Sequence, residues 1–133
     1  MRNKVCIIGF NYSRKVLLKS FLISRKFEIV GIAGKSHRKN INLNSTKYFT
    51  SWKKMILEMK PNIIVVAVPP KEQEKILLYL LKQKIHFLCE KPITNNKKKL
   101  SLFFKLIKNS KKTVRLIDLN FLSIPMIQKF KDL

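Results

Sequence analysis

Ile85-His86-Phe87-Leu88-Cys89-Glu90-Lys91-Pro92 reads as a buried strand that stops at a carboxylate, an ammonium and a rigid turn. Upstream, Asn62-Ile63-Ile64-Val65-Val66-Ala67-Val68 is a nearly continuous β-branched run, ended by Pro69-Pro70. At the start, Lys4-Val5-Cys6-Ile7-Ile8 runs directly into Gly9, giving a strand over 3–9. Strands that are apolar throughout, rather than alternating, belong to a sheet covered on both faces. Helical spacing separates them. A helix is predicted over 13–24, with Val16, Leu17, Phe21 and Leu22 on one side. Ser51 caps a second over 52–59, whose apolar positions are Trp52, Met55, Ile56 and Met59. A third covers 72–84 with Ile76, Leu77, Tyr79, Leu80 and Leu81, and a fourth runs from Asn95 or Asn96 to about Lys108. Further strands are expected over 28–33, at Tyr48-Phe49 and over 113–119, and Pro125 opens a last helix. Alternating β and α units of this length predict the α/β class: a doubly wound parallel sheet in three layers, with right-handed crossovers. Pro69-Pro70 and Glu90-Lys91-Pro92 then fall at the C-terminal edge of the strands, where open α/β sheets bind their ligands.

The chain has 133 residues, enough for one domain with a real core, and 46% of them are hydrophobic. No run of about 18 or more apolar residues occurs, so no membrane-spanning helix is expected. The basic opening Met1-Arg2-Asn3-Lys4 leads into a strand rather than a signal sequence, and a cytoplasmic location is expected. Cys6 and Cys89 both sit in apolar strand patterns and read as buried free thiols. Two cysteines without C-x-x-C spacing and two histidines give no metal site. The net charge of +22 admits two readings. Heavy use of lysine, isoleucine and asparagine fits drift in an AT-rich genome, with the lysines on solvated helix faces. The other reading is a surface for nucleic acid or another polyanion. Against the second, the basic residues form no single stripe. The tightest runs, Lys97-Lys98-Lys99 and Lys111-Lys112, fall at a helix start and in a loop.

A dinucleotide fold follows its first strand with Gly-x-Gly-x-x-Gly, which allows a tight turn, close approach of the pyrophosphate and close helix packing. Here the segment is Gly9-Phe10-Asn11-Tyr12-Ser13-Arg14, so only the first glycine is present. Asn11 tolerates left-handed backbone angles but would crowd a pyrophosphate. An ordinary turn without a ligand stays open as the alternative. About twenty residues further on, NAD-binding versions carry an acid for the ribose hydroxyls. This chain has Ala33-Gly34-Lys35-Ser36-His37-Arg38-Lys39 there, with no acid. Lys35, Ser36 and Arg38 suit a 2′-phosphate, hence NADP slightly over NAD; a solvated basic loop is the alternative.

In order and spacing these segments resemble the nucleotide-binding half of the Gfo/Idh/MocA oxidoreductases, whose cofactor domain is Rossmann-like. The resemblance covers nearly the whole chain. Phe10, Tyr12 and Ser13 suit the aromatic and small residues those proteins often carry after the first strand. It implies cofactor contacts from Gly9, Asn11, Tyr12 and Ser13, from Lys35, Ser36 and Arg38, and from Val68, Pro69 and Pro70. It implies that Glu90 contacts the cofactor ribose region and that Lys91, the catalytic residue, reaches the substrate oxygen and the nicotinamide. Pro92 fixes the turn. Gln73 stands where the family has a histidine that mostly supports helix packing. Asp118-Leu119-Asn120-Phe121-Leu122-Ser123-Ile124-Pro125 resembles the entry to the family's second domain, without its usual arginine.

Family members are longer, and their second domain carries the acid/base His or Asp and most substrate contacts. His37, in the phosphate-side loop, and His86, within a strand, are not replacements. The expected division is therefore a cofactor domain over 1–120 and the start of a connection over 121–133, in a truncated or split product or a fragment. The resemblance implies hydride transfer to or from a sugar-like molecule once a second domain is supplied. Leu122, Ile124, Ile127 and Phe130 would be partly exposed, inviting a homodimer or a partner chain. The alternative is a non-enzymatic module of the same fold with a basic, polyanion-binding surface.

Overall fold

The computed structural model describes residues 2–9, 17–35, 45–108 and 115–118. Expectations for the remainder lie outside the described residues: the start of the first helix, Asn11, Tyr12, Ser13, Ser36 and Arg38, and everything from 119 onward, including the Pro125 helix. The β-branched runs form a six-stranded sheet from β1 (Asn3–Ile8), β2 (Phe27–Ala33), β3 (Lys47–Phe49), β4 (Ile63–Val66), β5 (His86–Glu90) and β6 (Arg115–Asp118). Every pairing is parallel, and the spatial order is β3-β2-β1-β4-β5-β6. The chain moves outward from β1 to β3, then crosses back so that β4 pairs on the other side of β1. The order therefore reverses between β1 and β4, and a crevice opens at their C-terminal ends.

Strand alternation sends side chains to two separate cores. Cys6 and Ile8, Ile64 and Val66, and Phe87 and Cys89 point to one face. There they meet α2 (Trp52–Met59) through Met55 and Ile56, α3 (Pro70–Lys82) through Ile76, Leu77, Leu80 and Leu81, and α4 (Lys97–Lys108) through Phe103. Val5, Ile7, Ile29, Ile32 and Val65 point to the other face, against Leu18 of α1 (Leu17–Ile23). Helices on both faces make the expected three layers. Phe103 is 1% exposed, and its full burial contributes about 2–3 kcal/mol. Burial also pushes the Cys6 thiol up to about 12, and Cys6 and Cys89 are both buried and in no disulfide.

One irregularity in β2 matters to packing. Val5 pairs with Ile29 but Cys6 pairs with Gly31, so Val30 is an extra residue in the ladder. The bulge turns Gly31 toward the helical face, where a Cβ would stand 2.9 Å from Cys6 Sγ and 3.0 Å from Met55 Cγ. Glycine there lets α2 lie close on the sheet.

Three local expectations are corrected. In α1 Leu18 is buried, while Leu22 is 55% exposed; Phe21 packs against the same cluster as Leu18, so the buried stripe leans to the Phe21 side of Leu18 and leaves Leu22, on its other flank, toward solvent. Phe21 packs edge-on against Phe27. The strand expected over 62–68 ends at Val66. The helix expected over 72–84 starts at Pro70 and ends at Lys82. Proline suits that first position because its missing N–H would have no helical partner there, and Lys84, at a φ of 55°, turns the chain out. The helix over 52–59 and its Ser51 cap stand as expected, with Ser51 Oγ accepting from the Lys54 N–H at 3.4 Å.

Candidate functional site

The C-terminal ends of β1, β2, β4 and β5 converge on a cleft of about 830 Å³, within the range of cofactor pockets. Its floor is backbone and small side chains: Ile8 and Gly9 after β1, Ala33 and Gly34 after β2, Ala67 and Val68 after β4. These turns are stitched together. The Gly9 N–H donates to the Ala33 carbonyl at 2.9 Å, the Ala67 N–H to the Ile8 carbonyl at 2.8 Å, and the Gly34 N–H to the Phe49 carbonyl at 3.0 Å. Gly9 has a φ of 101°, and a Cβ on it would stand 2.0 Å from the Ala67 carbonyl oxygen. No other residue type fits that position without displacing the β4 turn.

Two helices supply the walls. Thr50 and Trp52 come from the junction of β3 and α2; Glu72, Lys75 and Ile76 come from the first turns of α3. Trp52 packs edge-on against Tyr79 with ring centroids 5.1 Å apart, and Lys53 Nζ lies 5.6 Å from the Trp52 ring. Among the described residues, the charged groups on the lining are the ammonium groups of Lys35, Lys75 and Lys91 and the carboxylates of Glu72 and Glu90. The cleft is therefore weakly cationic and has an apolar floor.

The turn after β5 is held from behind by α3. Gln73 is 1% exposed, and its Nε2 donates to the Glu90 carbonyl at 2.5 Å and to the Pro92 carbonyl at 2.9 Å. The Lys91–Pro92 peptide is cis. One residue on, Glu74 accepts from Thr94 Oγ1 at 2.5 Å and from Lys99 Nζ of α4. The Lys99 and Thr94 hydrogen bonds hold the Glu74 carboxyl below its ordinary value. Gln73 thus ties the turn that carries Glu90 and Lys91 to the helix that lines the opposite wall, beyond the packing role expected of its position.

Of the predicted site residues, Gly9, Lys35, Val68, Pro69, Glu90 and Lys91 all line this one cleft. Pro70 stands beside it as the first residue of α3. Lys35 makes an ion pair with Glu72 across the cleft mouth, which sequence reasoning missed, as it missed Thr50, Trp52 and Lys75. Their available signal was topological: a residue just past a strand's C-terminal end, or in the first turn of the following helix, belongs to the ligand edge.

Residues 3–117 match the model of an oxidoreductase family with an NAD-binding Rossmann fold, GFO_IDH_MocA. No curated protein matches the chain. Among solved structures, myo-inositol 2-dehydrogenase from Lactobacillus plantarum superposes with a TM-score of 0.86 at 16% identity, over 99% of this chain and 40% of that one. A mutant 3-ketoreductase from Actinomadura kijaniata, in complex with TDP-benzene and NADP, gives 0.84 at 15% identity, over 99% and 42%. GenD2 from gentamicin A biosynthesis, in complex with NAD, gives 0.84 at 16% identity, over 98% and 38%. The chain spans about 40% of the length of these structures.

Proposed function

The chain belongs to the Gfo/Idh/MocA oxidoreductase family, and we propose that it holds NAD or NADP for hydride transfer to or from a sugar or sugar derivative. The observation that carries this reading is the single cleft in which Gly9, Pro69, Glu90 and Lys91 meet at the reversal of strand order. Gly9 leaves backbone bare where the first turn must pass a ligand, and the lining is cationic enough for a pyrophosphate. The bound nicotinamide supplies or accepts the hydride. Lys91 contributes a fixed positive charge that stabilises the oxygen of the carbinol or keto carbon as charge develops on it. Glu90 contacts the cofactor ribose region, and Gln73 keeps both in place by gripping the backbone on either side of Lys91. Substrate contacts and the acid/base group come from a second domain, with residues 1–120 as the cofactor domain and 121–133 leading out of it. A cytoplasmic setting suits this chemistry, and no helix among the described residues is long and apolar enough to cross a membrane.

Trp52 is the chain's single tryptophan and lines the cleft, so it reports on occupancy. Titration with NADH or NADPH should quench its fluorescence saturably. No quenching by either at millimolar concentration, with salt-sensitive binding to DNA instead, would replace this reading with a polyanion-binding one. With the second domain supplied, Lys91→Met should keep cofactor binding and abolish hydride transfer, whereas Glu90→Gln should chiefly weaken cofactor affinity. Turnover of Lys91→Met within a few-fold of the parent would remove Lys91 from the mechanism.

A further inference from the structure

The end of β2 lacks the acid that a dinucleotide fold uses to choose NAD. No aspartate or glutamate occurs between Glu28 and Glu58. A carboxylate nevertheless reaches this place from elsewhere in the fold. Glu72, in the first turn of α3, pairs with Lys35 just past β2, and both line the cleft. We infer that Glu72 is the specificity-determining residue for the adenosine ribose, selecting a 2′-hydroxyl over a 2′-phosphate. This rests on the dinucleotide reading above.

The discrimination is electrostatic. A dinucleotide fold brings the 2′ position of the adenosine ribose to the end of β2, where Lys35 is the cation among the described residues. A 2′-phosphate entering there must take Lys35 away from Glu72. It must also lie close to a carboxylate of its own sign. A 2′-hydroxyl has neither penalty: it donates to the carboxylate, and the ion pair persists. Lys35, one of the residues that favour NADP in the sequence, is therefore offset by one acid distant in the chain. The side chains of Lys35 and Glu72 are 86% and 42% exposed. Water and salt screen charges at such a rim, which keeps the expected discrimination to about fivefold to tenfold.

The test is titration of the parent, Glu72→Gln and Glu72→Lys with NADH and NADPH at fixed ionic strength, read by Trp52 quenching. Glu72→Gln should raise the ratio of NADPH to NADH affinity about fivefold. Glu72→Lys should raise it further, a graded response to charge that a packing role would not produce. Lys35→Ala should lower the ratio. A ratio within twofold of the parent in both Glu72 variants, with NADH still bound, would overturn the role of Glu72 and leave the dinucleotide reading standing. A parent that binds neither nucleotide would overturn that reading and the inference with it.

Discussion

At Gly9 two constraints coincide: a φ of 101° that side chains disfavour, and a carbonyl oxygen 2.0 Å from where a Cβ would lie. Relief of the clash would require Ala67 to retreat, and Ala67 is itself hydrogen-bonded to Ile8 at 2.8 Å. Gly9→Ala should therefore destabilise the fold by about 3 kcal/mol, measured by urea denaturation at constant m. A loss below about 1 kcal/mol would mean that the β4 turn yields easily. Gly9 was legible in the sequence because a lone glycine that halts an apolar strand marks a turn whose backbone angles other residues disfavour. Glu72 was not. Nothing local distinguishes it from other helix-surface acids, and its meeting with Lys35, 37 positions earlier, exists only once α3 has docked.

Among the elements, α3 does most to shape the site. Its inner stripe of Ile76, Leu77, Leu80 and Leu81 packs into the core, while its first turns present Glu72 to the cleft and Gln73 and Glu74 to the turn after β5. Through Glu74 it is joined to Thr94 and to Lys99 of α4. The native carboxyl of Glu74 titrates below its ordinary value of 4.5. An unfolded chain therefore binds this proton more readily than the native one. The stabilisation is complete above pH 4.5 and is lost as pH falls through the lower native value. Glu74→Gln should lower the melting temperature by a few degrees at pH 7, and the gap to the parent should narrow on acidification below that range. A gap unchanged by pH would show that the charge of Glu74 does not contribute. The apolar spacing of α2 and α3 announced both helices. Their polar residues did not announce what they bond, since Gln73 and Glu74 find partners on segments that follow much later in the chain. The Leu22 expectation failed for a related reason: in a short helix with several leucines, the inward stripe is chosen by the sheet beneath it.

The molecule as a whole places one ligand edge at one end of a doubly wound sheet. Hydride transfer needs donor and acceptor carbons held close with water excluded. Bound as proposed, a dinucleotide would occupy the cleft of about 830 Å³, and the substrate wall is expected from a second domain. Purified chain with NADH or NADPH and a panel of keto-sugars should therefore show binding without turnover. Steady oxidation by a clean monomer would reveal an active site within this half. The class of the fold followed from the sequence alone, because apolar strands and amphipathic helices of regular length bury their surfaces in only a few ways. The same runs located Pro69-Pro70 and Glu90-Lys91-Pro92 at strand ends, since a β-branched run is halted only by residues that cannot extend it. Tertiary structure alone decided which strand ends became neighbours: β4 crosses to the far side of β1, bringing Gly9, Lys35, Glu72 and Lys91 to one cleft. Contacts between residues this far apart in the chain form only when the whole sheet closes, so no local pattern encodes them.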